Sequence, residues 1–82
     1  MPSITFKKSV AKDLRKLSKE IRKRIFSKIE EDLSDHPLDY PELKGKFAGL
    51  RKYRVGDYRV IYAVLDEQVL ITRIAHRKQA YD

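Results

Sequence analysis

The sequence predicts an α+β domain of two layers: an N-terminal strand, a helical hairpin, then a three-stranded antiparallel meander. Three observations carry that expectation. Residues 50–81 alternate in β-favouring fashion and are broken by Gly56-Asp57 and by Asp66-Glu67, each short enough for a two-residue hairpin turn. Ile21, Ile25, Ile29 and Leu33 recur at strict spacings of four, the apolar stripe of a helix. Ser3 to Lys7 alternates briefly, as a short strand does. No shift in composition divides the chain, so residues 1–82 are expected to form a single domain.

The N-terminal strand is expected at a sheet edge or beside the last strand. Ser9 is a candidate N-cap for a helix over residues 10–17, whose stripe is Val10, Leu14 and Leu17. Ser18 offers a second cap, for a helix running to Leu33 or Ser34. Residues 35–41 hold Pro37 and Pro41, which exclude helix and predict a loop. Leu43, Phe47 and Leu50 are expected to tack that loop to the core, and Lys44-Gly45-Lys46 to turn the chain into the meander.

Two-residue turns fix the register of the meander. Arg54 falls opposite Arg59 and Lys52 opposite Ile61; Ile61 in turn falls opposite Thr72, and Arg59 opposite Ile74. One face then carries Tyr53, Val55, Tyr58, Val60, Tyr62, Val64, Val69 and Ile71, and suits the helices. The other carries Lys52, Arg54, Arg59, Ile61, Thr72, Ile74 and His76, and is half cationic. Directly opposed arginines repel each other. An anion between them would explain the pair, as would a merely solvated face.

The charge of the whole chain points the same way. The net charge is +7, with 19 Lys and Arg against 12 Asp and Glu. Such a balance suits a polyanionic partner, either nucleic acid or an acidic protein. The charge lies in blocks: residues 12–28 hold eight bases and two acids, and residues 29–43 hold six acids and no Lys or Arg. There is no cysteine, and His36 and His76 lie too far apart to suggest a metal motif, so no metal and no cofactor is expected. No apolar run suits a membrane span or a signal peptide, which predicts a cytoplasmic protein without a membrane partner.

A cationic face of this kind can cut RNA without metal if the RNA's own 2′-hydroxyl attacks the neighbouring phosphorus. The protein must align the nucleophile, stabilise extra negative charge and help move two protons. Arginine serves the charge, because it stays ionised and grips phosphate with two donors. Lysine, tyrosine or histidine must serve the protons. Each residue also has an ordinary reading. Arg59 can pair with Asp57, Lys52 and Arg54 can be solvated strand residues, His76 can end a strand, and Tyr81 can pack a terminus.

At this point the residues carry a recognisable pattern. Arg54-Val55-Gly56-Asp57-Tyr58-Arg59-Val60-Ile61-Tyr62 and His76-Arg77-Lys78-Gln79-Ala80-Tyr81 resemble the toxins of the RelE/ParE superfamily, and the resemblance covers essentially the whole chain. It implies a RelE-like fold. It also implies a ribosome-dependent endoribonuclease, an mRNA interferase that cuts mRNA in the A site by 2′-hydroxyl attack and so inhibits translation. Arg59 matches the arginine of a Gly-x-Tyr-Arg element and would stabilise the transition state. Arg77 resembles a second, C-terminal arginine that supports the phosphate or the leaving side. Lys52 and Arg54 fall where relatives carry basic residues, and Tyr81 resembles a tyrosine that stacks on the mRNA. Lys44, Lys46, Arg51, His76 and Lys78 are the further residues expected to bind RNA. Arg54 stands where relatives use a lysine as proton carrier, so the base is left among Lys52, Tyr81 and His76. The sequence stops just after Tyr81, and the C-terminal helix of some relatives is not expected.

The resemblance implies a cognate antitoxin as protein partner, with an acidic amphipathic segment suited to the basic face, and the ribosome and mRNA as further partners. Two other functions fit the same fold. One is inhibition of DNA gyrase without nuclease activity, as in ParE-like members, and the other is an inactive interaction module.

Overall fold

A four-residue spacing of β-branched residues forms a helix only when something covers the stripe, and in this protein a four-stranded sheet does so. The computed structural model describes residues 3–76 and residue 78. The order is β1 (Ser3–Phe6), α1 (Val10–Arg15), α2 (Lys19–Lys28), β2 (Arg51–Val55), β3 (Tyr58–Leu65) and β4 (Gln68–His76). The helical path of α2 continues as one π-type turn over Ile29–Leu33, and a 3-10 turn spans Gly45–Phe47. Strand order is β1-β4-β3-β2, so β1 is both at the edge and beside the last strand, as the sequence predicts. It runs parallel to β4, with Ser3 paired to Gln68 and Phe6 to Ile71.

The two caps differ. Ser18 has an extended backbone, and its hydroxyl accepts from the Ile21 amide at 3.2 Å. Ser9 is helical and makes no such bond, so the expected cap is not formed there. What ties α1 down is Asp13, whose carboxylate accepts from the Ile74 amide of β4 at 3.0 Å. That bond satisfies an amide on the margin of β4 beyond the reach of β1.

Both hairpin turns have two residues, with Val55 paired to Tyr58 and Leu65 to Gln68. The first of each pair has positive φ: Gly56 at 59° without steric cost, and Asp66 at 54°, a conformation aspartate tolerates better than most residues. The β2–β3 register is as predicted, with Lys52 opposite Ile61 and Arg54 opposite Arg59.

The β3–β4 register is as predicted only from the turn to the Tyr62–Ile71 pair. Beyond it a β-bulge shifts the pairing, so that Ile61 faces Arg73, not Thr72, and Arg59 faces Ala75, not Ile74. Thr72 is the extra residue, and its hydroxyl donates to the Ile61 carbonyl at 3.1 Å. The physical reason is the side-chain pattern. Strict alternation from Val69 and Ile71 would point Arg73 into the core and Ile74 out. One inserted residue reverses both. Ile74 is 1% exposed and packs with the helix-side core, which corrects the expectation that it and His76 lie on the cationic face.

The core lies between helices and sheet. Val10, Ile25, Ile29 and Leu33 pack against Tyr53, Val55, Val60, Tyr62, Val69, Ile71 and Ile74. Each such side chain, fully buried, contributes roughly 1.5–3 kcal/mol.

Residues 35–41 form the expected loop, held by polar bonds as well as packing. The Tyr62 hydroxyl donates to the Pro37 carbonyl at 2.6 Å, and Arg51 Nη1 donates to the Tyr40 carbonyl at 2.7 Å. Tyr53 donates to the Asp32 carboxylate, and Tyr40 meets the Tyr53 ring edge-on at 4.9 Å between centroids. Burial and the bonded Asp32 push the Tyr53 hydroxyl well above its ordinary range. Burial likewise pushes Tyr62 up to about 12, against the opposing pull of the Arg51 charge. Among the described residues, Tyr40 is the side chain of this region that packs on the helix-side core; Leu43, Phe47 and Leu50 are only half-buried.

Candidate functional site

The sheet face turned away from the helices is built from β2, β3 and β4. Alternation puts Lys52 and Arg54 of β2 on it, with Arg59 and Ile61 of β3. After the bulge, Arg73 and Ala75 of β4 join them. Two rungs cross the three strands: Lys52–Ile61–Arg73 and Arg54–Arg59–Ala75. Directly paired residues such as Arg54 and Arg59 hold their Cα atoms about 4.5–5.5 Å apart. Like charges at that separation are unfavourable by themselves.

Ile61 is 4% exposed and Ala75 8%, yet neither belongs to the helix-side core. The stems of the neighbouring cations can shield such an apolar floor, and the guanidinium Nε atoms of Arg59 and Arg73 are themselves buried. Arg54 is exposed, and Lys52, Arg59 and Arg73 are half-buried.

The other residues singled out in the sequence divide. Arg51 alternates to the helix side with Tyr53 and spends its guanidinium on the 35–41 loop, so it does not join the cationic face. Lys44 and Lys46 are exposed and flank the 3-10 turn, with the Lys46 ammonium 5.3 Å from the centre of the Phe47 ring. His76 ends β4 opposite Tyr58, and the two rings meet edge-on at 5.5 Å. Its Nδ1 accepts from the amide of the exposed Lys78 at 3.4 Å. Arg77 and Tyr81 lie outside the described residues.

A pocket of about 130 Å³ opens where α1 meets the end of β4, lined among others by Asp13, Lys16, Tyr58, Arg73 and His76. It adjoins the cationic face through Arg73. The sequence reading missed Arg73. The signal was available: Ile71 and Ile74 are three apart, and three is not a strand spacing.

Arginines in this arrangement can bind phosphate and offset charge that builds on it. They cannot act as bases. Lys52 is the described group of this face able to exchange protons, while His76 ends β4 on the helix side, in the pocket that Arg73 also lines.

Comparison with known proteins agrees with this architecture. A family model described as the ParE toxin of the type II toxin–antitoxin system, parDE, matches residues 4–81. Toxin RelE3 of Methanocaldococcus jannaschii is 37% identical over 84 residues, which span 96% of this chain and 94% of that protein. A chain of the toxin–antitoxin complex RelBE2 from Mycobacterium tuberculosis superposes with a TM-score of 0.86 at 32% identity, covering 94% of this chain and 100% of its own. A chain of the archaeal RelE–RelB complex from Pyrococcus horikoshii OT3 superposes at 0.71 with 30% identity, covering 96% and 98%. The chain therefore belongs to the ParE toxin family and is, within the RelE/ParE superfamily, a toxin of a toxin–antitoxin system of RelE type.

Proposed function

We propose that this toxin is a ribosome-dependent endoribonuclease that cuts mRNA in the A site through the cationic face of its sheet. The observation that carries the reading is the directly opposed pair Arg54 and Arg59, with Lys52 one rung away, on the face that the helices leave uncovered. Two arginines on directly paired positions can both reach one phosphate, each gripping it with a planar pair of donors.

In this mechanism the 2′-hydroxyl attacks the adjacent phosphorus and the bond to the 5′-oxygen breaks. A base takes the proton of the 2′-hydroxyl, and an acid supplies one to the departing 5′-oxygen. Arg59 and Arg54 stabilise the charge that gathers on the non-bridging oxygens. Lys52 is the described candidate for proton transfer on this face. Arg77 and Tyr81 are proposed, from the resemblance, to support the phosphate and to stack on the RNA. Lys44, Lys46 and Lys78 give further contacts to the phosphate backbone. The reaction needs neither a metal nor a cofactor in this reading.

The partner is an antitoxin, since the relatives from M. tuberculosis and P. horikoshii are described in toxin–antitoxin complexes. An acidic segment that covers Arg54 and Arg59 would neutralise the face. The site of action is the cytoplasm, where translating ribosomes are found.

Mapping of 5′ ends on a defined mRNA in a translation extract tests the proposal. Cuts in codon register are expected with the wild-type protein, and Arg59→Ala should lower their rate by about 10²–10³-fold. Unchanged cutting by that variant would overturn the site. The rival reading, gyrase inhibition without nuclease activity, is favoured by the ParE name of the matching family. It predicts intact mRNA and a loss of supercoiling by purified gyrase.

A further inference from the structure

We infer that Arg73 is a further phosphate-binding residue of this face, brought there by the bulge at Thr72; the inference rests on the RNA-binding reading above. The argument begins with the chain pattern. Without the bulge, Arg73 would alternate towards the helices, among Val60, Ile71 and Tyr62. A lone guanidinium there would be prohibitively desolvated. With the bulge, it stands opposite Ile61 on the uncovered side.

Its neighbours on that side fit an extended anion. Arg59 faces Ala75, two residues along β4 from Arg73, so the two arginines are diagonal neighbours about 7–8 Å apart at Cα. Lys52 lies across Ile61, two strand spacings away, about 9.5 Å. Four cations thus surround an apolar floor of Ile61 and Ala75, which are 4% and 8% exposed. Ala75 matters for the space. A longer side chain there would stand between Arg59 and Arg73, whereas a methyl group puts no atoms beyond Cβ between them. Arg73 also lines the pocket that holds His76 and Tyr58, so it lies between the paired arginines and the end of β4.

Titration of a fluorescent, non-cleavable 2′-O-methyl RNA oligonucleotide, repeated over a range of salt concentrations, tests this without relying on cleavage. Each phosphate neutralised on a single strand steepens the dependence of log affinity on log salt by about 0.7. Arg73→Gln should therefore flatten the slope by about 0.7 and weaken binding at about 50 mM salt by roughly five- to tenfold. Arg73→Lys should keep the wild-type slope, and Ala75→Leu should weaken binding with the charge intact. Thermal melts of each variant separate these losses from loss of fold. If Arg73→Gln keeps the wild-type slope while Arg59→Ala flattens it, Arg73 is a structural residue and the inference falls alone. If Arg59→Ala also leaves the slope unchanged, the RNA-binding face itself falls. A slope restored by Arg73→Lys supports the assignment, because a merely packed arginine is not replaced by charge.

Discussion

The two faces of one sheet divide the work of this molecule. Towards the helices, β2, β3 and β4 present Tyr53, Val60, Tyr62, Ile71 and Ile74, all within 5% of full burial. Away from them, the same strands present Lys52, Arg54, Arg59 and Arg73. The first face gains free energy by removing apolar surface from water. The second spends some of it on opposed like charges. On the proposed reading, stability and function would be separable along a single strand, residue by residue.

Changes on each face should therefore be read out by different measurements. The largest effect is expected on the covered side. Ile25 is fully buried at the centre of the core, and Ile25→Ala should cost about 2–5 kcal/mol, seen as a lower midpoint in urea. RNA affinity, measured below that midpoint, should not change. An affinity that falls in step with stability would mean that the faces are coupled.

A smaller effect follows from Tyr62, whose hydroxyl holds the 35–41 loop through Pro37. Its proton is held more tightly in the folded protein than in the unfolded one, because burial raises it from an ordinary 10.0 to about 12. The stabilisation is whole below pH 10 and is lost as pH rises towards 12. Tyr62→Phe should lose about 1 kcal/mol at neutral pH, the net worth of one hydrogen bond, and should lose less than the wild type between pH 9.5 and 11. Melting curves across that range decide it, and parallel curves would refute the assignment.

The smallest effect is the sharpest test of the division. Arg54→Gln removes one of two opposed charges and should stabilise the fold by roughly 0.2–1 kcal/mol at low salt. The same change should slow RNA cutting. A variant that gains stability and loses activity together is the signature of a face kept for a ligand. If Arg54→Gln instead lowers the melting temperature, the pair contributes to the fold.

How much of this could be read from the chain depended on where two patterns agree. Arg54 opposite Arg59 was legible because a Gly-Asp turn fixes the register and the alternation on both strands supports it. Arg73 was not, because the same arithmetic carried through β4 assumes an unbroken ladder. The bulge left its trace in the interval from Ile71 to Ile74, a contradiction of period that only an inserted residue resolves. Arg51 misled for another reason. Its charge is legible, but its use is set by the Tyr40 carbonyl, eleven residues back in the chain and brought near by the loop. The helices were legible in place, although α1 ends at Arg15 and α2 gives way to a π turn at Ile29, and Ser9 shows that a suitable residue does not make a cap unless its backbone leaves the helix.

The parallel pairing of β1 with β4 has a consequence for how the protein is made. Ser3 finds its partner only at Gln68, so β1 must wait for a strand made after both helices and two other strands. Until then Arg73 of β4 is also missing from the sheet. A chain in which β4 has not yet been made lacks both the partner of β1 and the third strand of the proposed RNA-binding face.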